Sequence, residues 1–168
     1  MTPRYRDAAA LRRALEDRLK QQTTRSGHDL ERSRRTVVFD RLAVRLALDE
    51  ASECILKGGA VMEFRLHDQA RMTKDLDLAT RLDHPSDHEV RDRLIEALSI
   101  DPDGDGFVFE TSTATPLTPD THGRGAWRVS IQARLAGRRF ASSRLDIAAR
   151  GEELALTELL ALPNTLAF

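Results

Sequence analysis

Asp75 and Asp77, two residues apart in Asp75-Leu76-Asp77-Leu78, are the side chains in this sequence best placed to do chemistry. The alternation suits a strand, whose side-chain period of two sends both carboxylates to one face and both leucines to the other. Two carboxylates side by side resist ionising together unless a cation lies between them. An all-oxygen donor set suits Mg²⁺ or Mn²⁺ rather than zinc. Upstream, Cys54, Ile55 and Leu56 form an apolar run too short for a helix and bounded by glycine, which predicts a buried strand. Gly58 and Gly59 then let the backbone turn sharply and come close to whatever lies above it. Ala60 to Leu66 has helix-forming composition, so the turn should open onto a helix N-terminus, where unpaired N–H groups favour a phosphate. Lys57, Arg71, Thr73 and Lys74 flank these two features and are the candidate nucleotide contacts. A third aspartate, Asp146, is held between Leu145 and Ile147; buried alone it would be costly, so it needs a partner or a metal, unless its strand is an exposed edge.

Gly-Gly, a spacer and Asp-hydrophobic-Asp resemble the signature of the polymerase-β-type nucleotidyltransferases. The fuller string, Lys57-Gly58-Gly59-Ala60 and then Arg71-x-Thr73-x-Asp75-Leu76-Asp77-Leu78, resembles one branch of them, the AbiEii/AbiGii toxin family. That family supplies the toxin half of type IV toxin–antitoxin and phage-abortive systems. The core likeness spans residues 54 to 80, and the helical lead-in and later strands extend it over most of the chain. It implies an α+β fold with a polymerase-β-like core, a mixed sheet flanked by helices.

The reaction implied is transfer of a nucleotidyl group from a nucleoside triphosphate to an acceptor hydroxyl, with pyrophosphate leaving. Asp75 and Asp77 would hold Mg²⁺ or Mn²⁺. The resembled fold takes its third catalytic carboxylate from a strand beside the Asp-x-Asp strand, and Asp146 is the match. Asp146 would complete the metal site and lower the pKa of the acceptor hydroxyl. Gly58 and Gly59 would let the backbone approach the β- and γ-phosphates. Many relatives across the wider superfamily have serine where Gly59 stands, so backbone donors and Thr73 are expected to do more of the phosphate binding. Arg71 and Lys74 would be countercharges, with Lys57 inside the same motif. RNA is the implied acceptor, tRNA ends for some relatives, and a separately encoded antitoxin the implied partner. Members continue into a C-terminal helical region bearing an Ala-Glu-Lys-type helix. No lysine follows Lys74 here, so that region is expected to be lacking and residues 151–168 to form an irregular tail. The rival readings are a Mg²⁺-dependent nuclease using the same carboxylates, a catalytically inactive nucleotide- or RNA-binding module, and three unrelated surface aspartates far apart in space.

The elements that must position these residues follow from patterning. At 168 residues the chain suits one domain: an N-terminal helical segment over 1–50, a core over 51–150 and the tail. With 40% hydrophobic and 32% charged residues it reads as a globular protein without a membrane span or signal peptide. Its single cysteine, Cys54, sits in an apolar run, as expected in a reducing cytoplasm. A net charge of −1 gives no general pull toward nucleic acid, so any such contact must be local. Thr2-Pro3 predicts a helix start, followed by Ala8, Leu11, Leu15 and Leu19 at helical spacing, with Gly27 as its end. A second helix carries Val38, Leu42 and Leu46. Its Arg34, Arg35, Arg41 and Arg45 predict a solvated face laced with Asp40 and Asp49, the alternative being a groove for RNA phosphates. Ser86 and Glu89 form a capping box for a helix whose stripe is Val90, Leu94, Ile95 and Leu98. His84 and His88 read as surface histidines. Asp101-Pro-Asp103-Gly-Asp105-Gly106 imitates a calcium loop but has Ser112 where the bidentate glutamate belongs, so an acidic turn is expected. Phe107 opens a strand, residues 111–125 form a polar connection, and Trp127 to Leu135 alternates strictly. Ala136-Gly137 turns that strand back through Phe140 toward Asp146, a hairpin.

Overall fold

Strand period, glycine turns and one long hairpin account for most of the architecture. The computed structural model describes residues 5–27, 29–49, 54–66, 73–82, 85–150 and 157–161. Helices α1 (Ala8–Ser26) and α2 (Leu30–Leu48) lead into β1 (Cys54–Lys57), α3 (Gly58–Leu66) and β2 (Asp75–Thr80). Then come α4 (Asp87–Ser99), β3 (Phe107–Thr111), the two-residue β4 (Thr115–Pro116), β5 (Ala126–Leu135) and β6 (Arg138–Ala149). The strands form one mixed sheet in the order β1-β2-β6-β5-β3, with β4 also paired to β5. Only the β2–β6 pair among these is parallel. The β5–β6 hairpin closes on Ala136 and Gly137, both with positive φ (52° and 70°), as a tight turn between right-twisted strands requires. The architecture is α+β with helices flanking a mixed sheet, the class expected from the sequence.

One face of the sheet is almost wholly apolar, with Thr80 and Ser143 its buried polar members. Leu76 and Leu78 of β2, Leu145 and Ile147 of β6, and Val129 and Ile131 of β5 are buried with Leu11, Leu15 and Leu19 of α1, Val38, Leu42 and Leu46 of α2, and Val90, Leu94 and Leu98 of α4. Burying side chains of this size contributes roughly 1.5–3 kcal/mol each, and this layer is what holds the helices to the sheet. The opposite face of β2, β5 and β6 carries the polar members of each alternation.

Several local expectations need correction. Helix α1 starts after Asp7, whose side chain accepts a hydrogen bond from the Ala10 N–H at 2.7 Å; the proposed start at Thr2-Pro3 lies outside the described residues. Gly27 ends it in the left-handed region, as expected (φ 70°). Ile95 is exposed and Ala97 is buried in its place, because the stripe of α4 turns with the 3.6-residue period. Ser86 and Glu89 do form the reciprocal capping box. His84 lies outside the described residues, and His88 is exposed.

The largest departure is on α2. Arg41 and Arg45 are neither solvated nor a phosphate groove: both are fully buried. The acidic turn after α4 packs over them. Arg41 donates to Asp103 at 2.6 Å and Asp40 at 2.7 Å, and Arg45 donates to Asp105 at 2.8 Å and Asp101 at 3.2 Å. Arg45 also stacks on Phe109, 4.9 Å from the ring centroid. Two guanidinium groups therefore pair with all three aspartates of the loop that imitates a calcium site and offset most of its charge.

Candidate active site

The site is built where β1, β2, β6 and β5 lie side by side. In β1–β2 Lys57 is directly opposite Asp77; in β2–β6 Asp77 is opposite Asp146; in β6–β5 Asp146 is opposite Arg128. Directly paired residues point to the same face of a sheet. Lys57, Asp77, Asp146 and Arg128 thus form one row across four strands, on the face away from the apolar core. One step along, Asp75 is opposite Arg144 on the same face. The three aspartates, which come from distant parts of the sequence, are brought together by the parallel β2–β6 pair. The expectation that unrelated aspartates would lie far apart in space does not fit this register.

The glycine turn meets this row. Gly58 has φ +68°, a region L side chains rarely adopt, and a Cβ there would lie 2.2 Å from Asp77 Oδ2. Glycine is required twice over, for the turn and for the approach of the Asp77 carboxylate to the start of α3. Gly59 serves a different neighbour: a Cβ there would press on Thr73 Cβ and Oγ1, each at 3.3 Å. Thr73 fills the space a serine at position 59 would need. Its hydroxyl donates to the Asp75 carbonyl at 2.9 Å, and its N–H to Glu63 Oε2 at 3.3 Å. With its single hydroxyl proton so used, Thr73 fixes the start of β2 against α3. Lys74 is exposed at the bend before β2; Arg71 lies outside the described residues.

The electrostatics differ among the three carboxylates. Asp146 accepts from Arg128 at both oxygens, from Nε at 2.8 Å and from a terminal nitrogen at 2.6 Å. Asp75 is gripped likewise by Arg144, at 2.7 and 3.2 Å. Asp77 accepts a hydrogen bond from no described residue. Burial, the charge of Asp146 and then that of Asp75 raise its pKa above the ordinary value, with Lys57 and Arg128 pulling the other way. Hydrogen bonds and charge from Asp146 hold the Arg128 guanidinium well above its usual range.

A family model described as the nucleotidyl transferase AbiEii toxin of type IV toxin–antitoxin systems matches residues 40–167. The chain belongs to the AbiEii family. No match is found among curated proteins. Members are nucleotidyltransferase toxins, and the matched stretch contains the whole of the row just described.

The residues of this AbiEii member fit a hard divalent cation in donor chemistry. Three carboxylates share one face, and Asp77 has no hydrogen-bond donor among the described residues and is crowded by like charge. They are not preassembled: among the described residues no three acidic, histidine or cysteine side chains converge as a ligand set. Asp75 and Asp146 are instead turned onto arginines. Those arginines escaped the sequence reading. Arg128 stood in the strict alternation of β5 as a polar-face residue, but its partner is set by a cross-strand register that no local pattern reveals. No helix among the described residues is long and apolar enough to cross a membrane.

Proposed function

We propose that this protein is a divalent-cation-dependent nucleotidyltransferase that moves a nucleoside monophosphate from a triphosphate to a hydroxyl of RNA, with tRNA as the acceptor. It would act in the cytoplasm as the toxin of a type IV toxin–antitoxin pair, neutralised by a separately encoded antitoxin. The carrying observation is the register that sets Asp77 beside Asp146 with Asp77 touching the Gly58 turn. In the reaction the acceptor oxygen forms a bond to the α-phosphorus, the bond to the β-phosphate oxygen breaks, and pyrophosphate leaves.

Asp75, Asp77 and Asp146 would hold Mg²⁺ or Mn²⁺, which when bound offsets charge on the phosphates and lowers the acceptor hydroxyl's pKa. The backbone at Gly58 and Gly59, at the start of α3, would approach the β- and γ-phosphates. Lys57, in the same row, and Lys74 with Arg71 at the approach to β2 would supply countercharge. Thr73 holds Asp75 in place through its carbonyl.

Incubation of the protein with each radiolabelled triphosphate, Mg²⁺ and total RNA tests this reading. Label should enter RNA with the intact protein and not with Asp77→Asn. Equal labelling by both proteins would refute the site, and no labelling with any triphosphate would refute the activity.

A further inference from the structure

Six charged side chains stand on this face of the sheet, in the row Lys57, Asp77, Asp146 and Arg128 and in the adjoining pair Asp75 and Arg144. Three are negative (Asp75, Asp77, Asp146) and three positive (Lys57, Arg128, Arg144), so the cluster is neutral without any metal. The neutrality is specific in geometry as well as in count. Arg128 covers both oxygens of Asp146 and Arg144 both oxygens of Asp75, the two-pronged arrangement that a planar guanidinium makes with a carboxylate. A cation approaching Asp77 therefore finds its two neighbouring carboxylates already engaged. Neither arginine is locked in place: the side chains of Arg128 and Arg144 are 40% and 46% exposed, so each can swing into solvent. The contrast with Arg41 and Arg45, sealed into the fold, is sharp.

We propose that Arg128 and Arg144 are displaceable counter-ions that hold Asp146 and Asp75 in the metal-free protein and thereby set its affinity for divalent cations. The proposal rests on the site reading given above. Both arginines are positioning residues: they act on the carboxylates, and they weaken cation binding until something draws them away. A triphosphate is a fitting agent, since a released guanidinium beside the glycine turn meets phosphate oxygens of the geometry it prefers. Cation and nucleotide then bind better together than either does alone.

The test is Mn²⁺ binding to the nucleotide-free protein, read from the electron paramagnetic resonance signal of the free ion, for the unaltered protein, Arg128→Gln, Arg144→Gln and Asp77→Asn. Thermal melts of each establish that it is folded. Deleting one unit charge beside a partly solvated site should tighten Mn²⁺ binding by about tenfold in each arginine variant. The gain should shrink as salt is raised, because screening weakens the deleted repulsion. Mn²⁺ affinity unchanged or weaker in both folded arginine variants, with Asp77→Asn having lost the ion, overturns the counter-ion role alone. Mn²⁺ bound as tightly by Asp77→Asn as by the unaltered protein overturns the site reading itself. Arg144→Gln, at the more exposed pair, decides the matter if Arg128→Gln does not fold.

Discussion

Asp77 and Gly58 are one unit, because a carboxylate sits where the glycine's side chain would be. Gly58→Ala must both hold an L residue at φ +68° and push the carboxylate away. A destabilisation of about 1–3 kcal/mol follows from such strain, with loss of transfer activity as Asp77 shifts. Gly27 supplies the control: it has φ +70° with nothing within 4 Å of a Cβ, so Gly27→Ala carries the conformational cost alone. Urea unfolding should rank Gly58→Ala below Gly27→Ala, and the difference should narrow when Asp77 is also made alanine. Equal stabilities would mean that the contact with Asp77 is not a constraint. Asp77→Asn keeps the shape and removes the charge, and should lower nucleotidyl transfer by roughly a thousandfold, as loss of several kcal/mol of charge stabilisation implies. Thr73→Val tests a quieter role. It removes the hydroxyl donor to the Asp75 carbonyl, about 1 kcal/mol of stability, while leaving the nucleotide's own donors in place. Its effect should therefore appear in melting temperature more than in the KM for the triphosphate.

At the scale of elements, local signals were legible and docking was not. The capping box at Ser86 and Glu89, the two-residue period of β2 and the alternation of β5 are fixed by neighbours in sequence, and each formed as expected. Arg41 and Arg45 each fall three residues after a member of the stripe, Val38 and Leu42, on the same helical face, so the spacing itself pointed to their burial. What the helix does not mark is their partners, which lie on a turn some sixty residues away that folds over α2. The same holds for Arg128 and Arg144, whose partners are chosen by strand register. This clasp has its own prediction. Arg45→Met leaves Asp105, which is also fully buried, without its closest cationic partner. The cost should be about 3–5 kcal/mol, as for other broken buried pairs. Arg34→Met, which loses a mostly buried pair with Glu16 of α1 and a partly exposed one with Glu31, should cost less, about 1–2 kcal/mol. Adding Asp105→Asn to Arg45→Met should restore part of the loss. Denaturant midpoints measure all three, and similar midpoints for the two single variants would remove the clasp as a determinant of the fold.

Over the whole molecule, the site opposes the stability of the protein that carries it. In folded protein Asp77 binds a proton more readily than in the unfolded chain, because burial and two neighbouring carboxylates raise its pKa. Ionising it therefore costs folding free energy at every pH above the raised value. That cost declines as pH falls through the raised pKa and is gone below the ordinary 3.8 of an aspartate. Asp77→Asn should accordingly melt higher than the unaltered protein at neutral pH without divalent cations. Partial exposure screens the effect, so a gain of about 1 kcal/mol, or roughly 2–4 °C, is the expected size. The gain should shrink on acidification rather than grow. A cation bound at the site inverts the order, since it stabilises only the folded state that binds it, by about 2.7 kcal/mol at a hundred times its Kd. Titrating Mg²⁺ at neutral pH should raise the melting temperature of the unaltered protein past that of Asp77→Asn, whose own melting temperature stays put. Curves that rise in parallel would place the stabilising ion elsewhere. An Asp77→Asn variant that melts lower at neutral pH without Mg²⁺ would show that the crowded carboxylate is no burden on the fold.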